Sequence, residues 1–127
     1  EKSGQRGIEG KYALHFHFLK DCPDCLFKNN AIETGQQRGI IVHQTHLAKV
    51  EGNVLYNVRG AGIYIEDGNE MFNSLKYNVV VCPFPFNHAT YHGCTIPGTS
   101  NLIADTSDNH AAFYTQAASN NMIGNRG

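Results

Sequence analysis

The sequence lacks a long apolar run, a strong charge imbalance and a helical repeat of hydrophobic residues. Without such a run, it predicts no membrane-spanning helix and no leader segment. The 10 basic and 11 acidic residues are scattered along 127 positions, which argues against a nucleic-acid partner. No stretch shows the i, i+3, i+4, i+7 spacing that is typical of an amphipathic helix. The chain starts at Glu1 without an initiator methionine, so we expect a fragment of a larger protein.

Short runs of alternating apolar and polar residues are present instead, and they predict β-strands. The clearest runs cover residues 14–18, 40–43 and 63–66. Gly, Asn, Asp and Pro separate such runs at short intervals, which indicates turns. We therefore expect an all-β chain.

A repeat relates the second and third runs. Positions 23 residues apart match, and the matched pairs are Asn30 with Asn53, Gly39-Ile40 with Gly62-Ile63, Val42 with Ile65, and His43 with Glu66. A third copy begins near Leu75, and a fourth fragment covers residues 120–123. A period in the low twenties leaves leucine-rich repeats or a parallel β-helix, and the leucine consensus is missing. The sequence predicts a right-handed parallel β-helix, which is a solenoid of the pectin-lyase type.

Equivalent side chains of a β-helix stack in columns, because neighbouring rungs lie about 4.8 Å apart. Asn30, Asn53 and Asn78 should form one such column, in which amide side chains hydrogen-bond to their copies. The alternation also predicts the side chains that face the core, which are Leu14, Phe16, Phe18, Ile40, Val42, Ile63 and Ile65.

The outward positions of the three runs carry a column of polar residues. His15 and His17 belong to the first run, His43 to the second and Glu66 to the third. Imidazole and carboxylate groups bind Zn, Mn or Fe at about 2.0–2.2 Å. His15, His17 and His43 are therefore candidate ligands of a divalent metal ion. The competing interpretation is a row of solvated or hydrogen-bonded histidines.

Glu66, Asp67 and His43 are candidate catalytic residues for a reaction on a polysaccharide. Gly68 indicates a turn that brings Asp67 towards the same patch. Glycosidases hold two carboxyl groups about 5–10 Å apart, whereas consecutive strand residues point to opposite faces. A metal-assisted or histidine-based attack, with Glu66 or His43 as general base, fits the column equally well.

Candidate substrate contacts lie beside this column. Tyr64 and Arg38 are the residues that we assign to substrate binding, with ordinary surface packing as the alternative. Residues 82–100 are rich in Pro, His and aromatic residues and are too irregular for a rung, so we expect an excursion from the helix. Such a loop forms one wall of a binding groove or covers exposed core.

Four cysteines form two local pairs, Cys22 with Cys25 and Cys82 with Cys94. Two disulfides are the simplest interpretation, and they would place the chain in an oxidising compartment. A zinc site is the alternative, but the second pair lacks the C-x-x-C spacing of a zinc knuckle.

Several stretches resemble a known family in both order and spacing. These stretches are Leu14-His15-Phe16-His17, Val42-His43, Gly62 through Glu66-Asp67-Gly68, and Asn73-Ser74-Leu75 to Val81. They are similar to the β-helix region that accompanies a G8 domain in the cell-migration-inducing hyaluronan-binding protein, the transmembrane hyaluronidase and the fibrocystin-like proteins. The resemblance spans most of residues 11–125.

The resemblance implies a secreted or cell-surface protein with PbH1-type repeats and hyaluronan or another glycan as ligand. It also implies one patch to test, made of His15, His17, His43, Glu66 and Asp67. Two functions remain open: a structural or glycan-interacting segment of a large extracellular protein, and a metal-dependent, hyaluronidase-like enzyme. The expected partners are a polysaccharide or other extracellular domains, including further β-helix segments.

Overall fold

The computed structural model describes residues 3–5, 8–83 and 111–127, and all regular structure within them is β. The eleven strands are β1 (Leu14–Asp21), β2 (Leu26–Lys28), β3 (Ala31–Glu33), β4 (Ile40–His46), β5 (Lys49–Glu51), β6 (Val54–Tyr56), β7 (Ile63–Ile65), β8 (Ser74–Lys76), β9 (Val79–Val81), β10 (Phe113–Thr115) and β11 (Asn121–Ile123).

The strands form three parallel sheets, which the chain visits in turn. The first sheet has the order β1-β4-β7-β10, the second β2-β5-β8-β11 and the third β3-β6-β9. Each circuit of three strands is one rung, and a bridge between Val79 and Arg126 continues the third sheet into the fourth rung. The predicted all-β class and parallel β-helix are therefore confirmed.

The strand register follows the repeat in the sequence. Ile40 pairs with Ile63 and Val42 with Ile65, which places equivalent side chains of β4 and β7 one above the other. The step from β1 to β4 is longer, because His17 pairs with His43 across 26 positions. His17 of β1 and His43 of β4 therefore occupy the first two rungs of one column on the outer surface.

The core is a stack of aliphatic side chains enclosed by the three sheets. Ile40, Val42, Ile63 and Ile65 are fully buried in it. Burial of each such side chain contributes about 1.5–3 kcal/mol, so the column supplies much of the stability of the solenoid. A solenoid rung has no separate core, and each rung therefore depends on its neighbours.

Phe18 is the exception to the predicted inward set, and its assignment to the core is wrong. Its side chain is 57 % exposed, and its φ of 57° lies in the left-handed region. The register of β1 is irregular between His17 and Lys20, and such a bulge interrupts the strict alternation of faces. The Phe18 ring lies against the rings of His17 and His43 instead.

Gly62 is one of the matched positions of the internal repeat, and close packing explains why it is glycine. A Cβ atom there would lie 2.7 Å from the carbonyl oxygen of Ala112 and 2.6 Å from the Val80 side chain. Any side chain would push the neighbouring rung away, so the chain requires glycine where it enters β7. Gly39 occupies the equivalent position before β4.

A column of asparagines connects the rungs between the second and third sheets. The side-chain oxygen of Asn53 accepts from the backbone N–H of Asn30 at 3.0 Å and from its side-chain amide at 2.9 Å. Asn78 accepts from Asn53 in the same way, and Asn125 from Asn78. The predicted ladder is confirmed and extends by one asparagine to the fourth rung.

A second asparagine column lies between the first and second sheets. Asn73 accepts from the backbone N–H of Ala48 at 2.9 Å, and its amide donates to the carbonyl of Thr45 at 3.0 Å. Asn120 accepts from the N–H of Asn73 in turn. Amide side chains therefore connect rungs at two of the three corners of the β-helix.

A disulfide joins Cys22 to Cys25 in the connection between β1 and β2. Cys82, which follows β9, is also disulfide-bonded. Cys94 and most of the predicted excursion at residues 82–100 lie outside the described residues. None of the described residues belongs to a helix with the length and hydropathy of a membrane span.

Replacing Asn53 with alanine should destabilise the chain by roughly 2–4 kcal/mol, because buried groups of three neighbouring residues lose a hydrogen-bond partner. These groups are the N–H and side-chain amide of Asn30, the carbonyl of Phe27 and the side-chain oxygen of Asn78. Urea unfolding measures the loss. The control is Asn121→Ala, because Asn121 is exposed and should change stability little. Equal stability of the two variants would contradict a stabilising ladder.

Candidate functional site

The first sheet brings five of the predicted site residues together on its outer surface. His15 and His17 come from β1 and His43 from β4, and the register places His17 beside His43. Glu66 and Asp67 follow β7 directly, at the next rung. Parallel pairing therefore sets residues from distant parts of the chain one rung apart.

The three histidine rings turn their nitrogens towards one another. His17 Nδ1 lies 3.3 Å from His15 Nε2 and 3.3 Å from His43 Nδ1. One ring nitrogen from each histidine lies within 4.8 Å of the other two. We refer to these three residues as the histidine cluster.

Two carboxylates face His43 from opposite sides of its ring. Asp67 Oδ2 lies 3.0 Å from His43 Nε2, and Glu66 Oε2 lies 3.5 Å from His43 Nδ1. Asp67 also accepts a short hydrogen bond from the Gln44 side chain. Glu66 Oε2 is buried and has no hydrogen-bond partner among the described residues. A buried oxygen without a hydrogen bond is costly, and a further donor group beside it would offset this cost.

A cavity of about 260 Å³ opens beside the histidine cluster. Its lining includes Tyr12, the three histidines and Glu66. This volume is slightly below the range of about 300–1,000 Å³ for drug-sized ligands, so it suits one sugar ring or a cation with its water. The polar groups of the cluster therefore face a space that a small ligand can enter.

Burial changes the proton affinities of the groups around the cavity. Burial, together with the neighbouring His17 and His43, lowers the pKa of His15 to about 4. His15 is therefore neutral at physiological pH, with a lone pair available. Burial raises the pKa of Glu66, although His43 and Arg38 oppose this shift. Burial also raises the pKa of Tyr12.

Of the two predicted substrate contacts, Arg38 contacts a site residue and Tyr64 lies behind Arg38. The Arg38 guanidinium lies 3.6 Å from Glu66 Oε1 and stacks on the Tyr64 ring, with its central carbon 4.1 Å from the ring centroid. Tyr64 is only 4 % exposed and stacks in turn on Tyr114. Arg38 therefore contacts the site directly through Glu66, whereas Tyr64 lies behind it and holds the guanidinium in place.

Glu70 is a site residue that the sequence pattern did not reveal. It is fully buried, and its carboxylate accepts backbone N–H groups from Asp67, Gly68 and Gln44 at 2.9–3.1 Å. These bonds fix the corner that carries Asp67 and the residue that follows His43. The Asp67-Gly68 turn was visible in the sequence, but nothing there showed which side chain would accept its N–H groups.

Comparison with known proteins gives one matching family model, described as CEMIP β-helix, which covers residues 1–127. A G8 domain-containing protein from Dictyostelium discoideum is 30 % identical over 128 residues, which are 98 % of this chain and 11 % of the relative. Fibrocystin-L from Mus musculus is 39 % identical over 80 residues, and fibrocystin-L from Homo sapiens is 36 % identical over 80 residues. Those 80 residues are 62 % of this chain and 2 % of each fibrocystin-L. No solved structure matches the chain.

Replacing Glu70 with glutamine should destabilise the chain by about 2–4 kcal/mol, because the new amide NH₂ cannot accept the backbone N–H groups that the carboxylate binds. Urea unfolding reports the stability, and NMR of the His43 ring reports its contact with Asp67. Glu51→Gln is the control, because Glu51 only forms a 4.0 Å ion pair with Lys28. A Glu70→Gln chain with unchanged stability and an unchanged His43 signal would rule out this role of Glu70.

Proposed function

The chain belongs to the CEMIP β-helix family, and we propose that it is a structural, glycan-interacting segment of a large extracellular or cell-surface protein. The observation that carries the proposal is the convergence of the histidine cluster and Glu66 on one open cavity. The asparagine columns give this surface a rigid support, because they lock successive rungs in one register. Rigid elements hold binding groups better than loops do.

The cysteines support the extracellular location. Cys22 and Cys25 form a disulfide, and Cys82 is disulfide-bonded as well. Disulfides persist in oxidising compartments and are rare in the cytosol. A chain that follows the secretory pathway would form both bonds during export.

The chemistry of the cavity suits a polysaccharide such as hyaluronan. Imidazole nitrogens can donate to or accept from sugar hydroxyl groups, and Glu66 Oε2, which accepts no hydrogen bond from the described residues, can accept from them. Tyr12 adds an aromatic ring to the cavity wall, on which the apolar face of a sugar ring can pack. The cavity volume allows a single sugar unit to enter while the rest of the polymer lies along the surface.

Binding of hyaluronan oligosaccharides, measured by isothermal titration calorimetry on the 127-residue chain with Zn²⁺ present, tests this proposal. His17→Ala should weaken binding about tenfold or more, because one hydrogen bond to a charged or coordinated group is worth about 1.5–3 kcal/mol. His17 is exposed, so the variant should fold normally.

The control is His46→Ala. His46 also belongs to β4, but its ring accepts a hydrogen bond from the Met71 backbone and lies outside the histidine cluster. A neutral glucan and chondroitin should be tested in parallel with hyaluronan. The glycan proposal fails if no polysaccharide binds, or if both histidine variants bind like the unchanged chain.

A second candidate function, metal-dependent polysaccharide degradation, is supported by Glu66. Its carboxyl group lines the cavity, one oxygen finds no hydrogen-bond partner among the residues that the structure describes, and burial raises its pKa. These properties suit a general acid or base. In this proposal Glu66 transfers the proton, Asp67 orients His43, and Arg38 holds Glu66.

The enzyme proposal predicts that the unchanged chain shortens fluorescent hyaluronan in size-exclusion chromatography. Glu66→Gln should then reduce the rate at least about 100-fold, since a positioned proton donor or acceptor contributes about 10²–10⁴-fold. Glu51→Gln, on the second sheet, should leave the rate unchanged. If neither the unchanged chain nor the Glu51→Gln chain shortens hyaluronan, the enzyme proposal is wrong. Glycan binding is tested separately, by the calorimetry described above.

A further inference from the structure

The ring nitrogens that face one another in the histidine cluster carry more lone pairs than protons. His43 Nε2 faces the Asp67 carboxylate at 3.0 Å, so it carries the ring proton in the neutral form. His43 Nδ1 then presents a lone pair towards His17 Nδ1 and the Glu66 oxygen. His17 Nδ1 also faces His15 Nε2, and a single proton on it can serve only one of its two neighbours.

We propose that His15, His17 and His43 bind one divalent transition-metal ion of the Zn²⁺ type, with its fourth coordination position open to the cavity. The ligand atoms are His15 Nε2, His17 Nδ1 and His43 Nδ1. A cation at their centre satisfies all three lone pairs at once, which no arrangement of protons on neutral rings achieves.

The spacing of the nitrogens fits this coordination. Ligand atoms that lie about 2.0–2.1 Å from a tetrahedral zinc ion are about 3.3–3.4 Å apart. The two distances to His17 Nδ1 are 3.3 Å each. One nitrogen of each of the three rings lies within 4.8 Å of the others, and rotation of an imidazole shortens the widest of these separations.

The surrounding carboxylates complete the site in two different ways. Asp67 accepts from His43 Nε2, as carboxylates do behind metal-bound histidines, and so directs Nδ1 towards the ion. Glu66 Oε2 lies 3.5 Å from the ligating nitrogen of His43 and has no hydrogen-bond partner within the described part of the chain. It is placed to accept a hydrogen bond from water or a sugar hydroxyl group at the open position.

The ligand chemistry distinguishes among cations. Three imidazole nitrogens suit Zn²⁺ and similar transition metals, whereas Ca²⁺ and Mg²⁺ prefer oxygen ligands. Three imidazole nitrogens would therefore be an exceptional set of ligands for Ca²⁺. The site should therefore select Zn²⁺ over Ca²⁺.

A bound cation also explains how an acidic polysaccharide can approach this surface. Glu9 and Glu66 line the cavity and Asp67 lies beside it, and among the described residues there the Arg38 guanidinium offsets part of their negative charge. Without a further positive charge they would repel a polyanion such as hyaluronan. This step rests on the glycan function proposed above, and the metal ion supplies the charge that attracts the glycan carboxylate.

The test is Zn²⁺ binding to the chelator-treated 127-residue chain, measured by calorimetry and by competition with a chromophoric chelator. We expect one Zn²⁺ per chain and no comparable binding of Ca²⁺. His17→Ala should weaken Zn²⁺ binding at least about 100-fold, and Asp67→Asn about 10–100-fold. His46→Ala is the matched control and should bind Zn²⁺ like the unchanged chain.

The Co²⁺-loaded chain gives a spectroscopic readout of the same site. Its visible absorption should show tetrahedral coordination, and the absorption should disappear in His17→Ala. Absence of Zn²⁺ binding, or equal Zn²⁺ affinity of the His17→Ala and His46→Ala chains, would overturn the inference. Doubly protonated His43 in the NMR spectrum would then show that an imidazolium satisfies both carboxylates.

Glycan binding with and without chelator separates the two proposals. Hyaluronan binding that persists in chelator, together with no Zn²⁺ binding, would overturn the metal site and leave the glycan function standing. Zn²⁺ binding without any glycan binding would support the metal site and contradict the glycan function. Zn²⁺-dependent hyaluronan binding would support both.

Discussion

The spacing between parallel rungs controls the chemistry of this protein. Backbone pairing of β1 with β4 and of β4 with β7 fixes the relative positions of their side chains before any side-chain contact forms. Neighbouring rungs lie about 4.8 Å apart, which is wider than the 3.3 Å between the Nδ1 atoms of His17 and His43. A column of imidazole and carboxylate groups at this spacing needs only rotamer choices to converge. The inner surface of the same strands uses the spacing for close packing of aliphatic side chains.

Carboxylates held at this distance repel one another, and other parts of the fold offset this free-energy cost. Glu70 holds the corner after β7 through three backbone N–H groups, which keeps Asp67 beside His43. Arg38 lies between Glu66 and the ring of Tyr64, where it balances part of the negative charge. The second asparagine column lies at this same corner, where the Asn120 side chain donates to the carbonyl of Glu70. The corner that holds Asp67 therefore also joins successive rungs.

The sequence predicted the fold and the central column because both depend on periodicity. The 23-residue repeat gave the relation between His43 and Glu66, and alternation within residues 14–18 placed two histidines outside. Phe18 was assigned to the wrong face because a bulge interrupts alternation without any marked change in composition. The burial of Tyr64 depends on Arg38 and Tyr114, which are distant along the chain. Such contacts follow from the folded arrangement and have no local sequence pattern.

The unequal lengths of the circuits have a consequence for how this surface can diversify. Successive ladder asparagines are 23, 25 and 47 positions apart, yet β10 pairs with β7 in the same register as β7 with β4. An insertion as long as a whole rung is therefore accommodated between β9 and β10 without displacing the next strand. Because each rung contacts only its neighbours, evolution can lengthen, shorten or replace this insert while the histidine surface keeps its geometry.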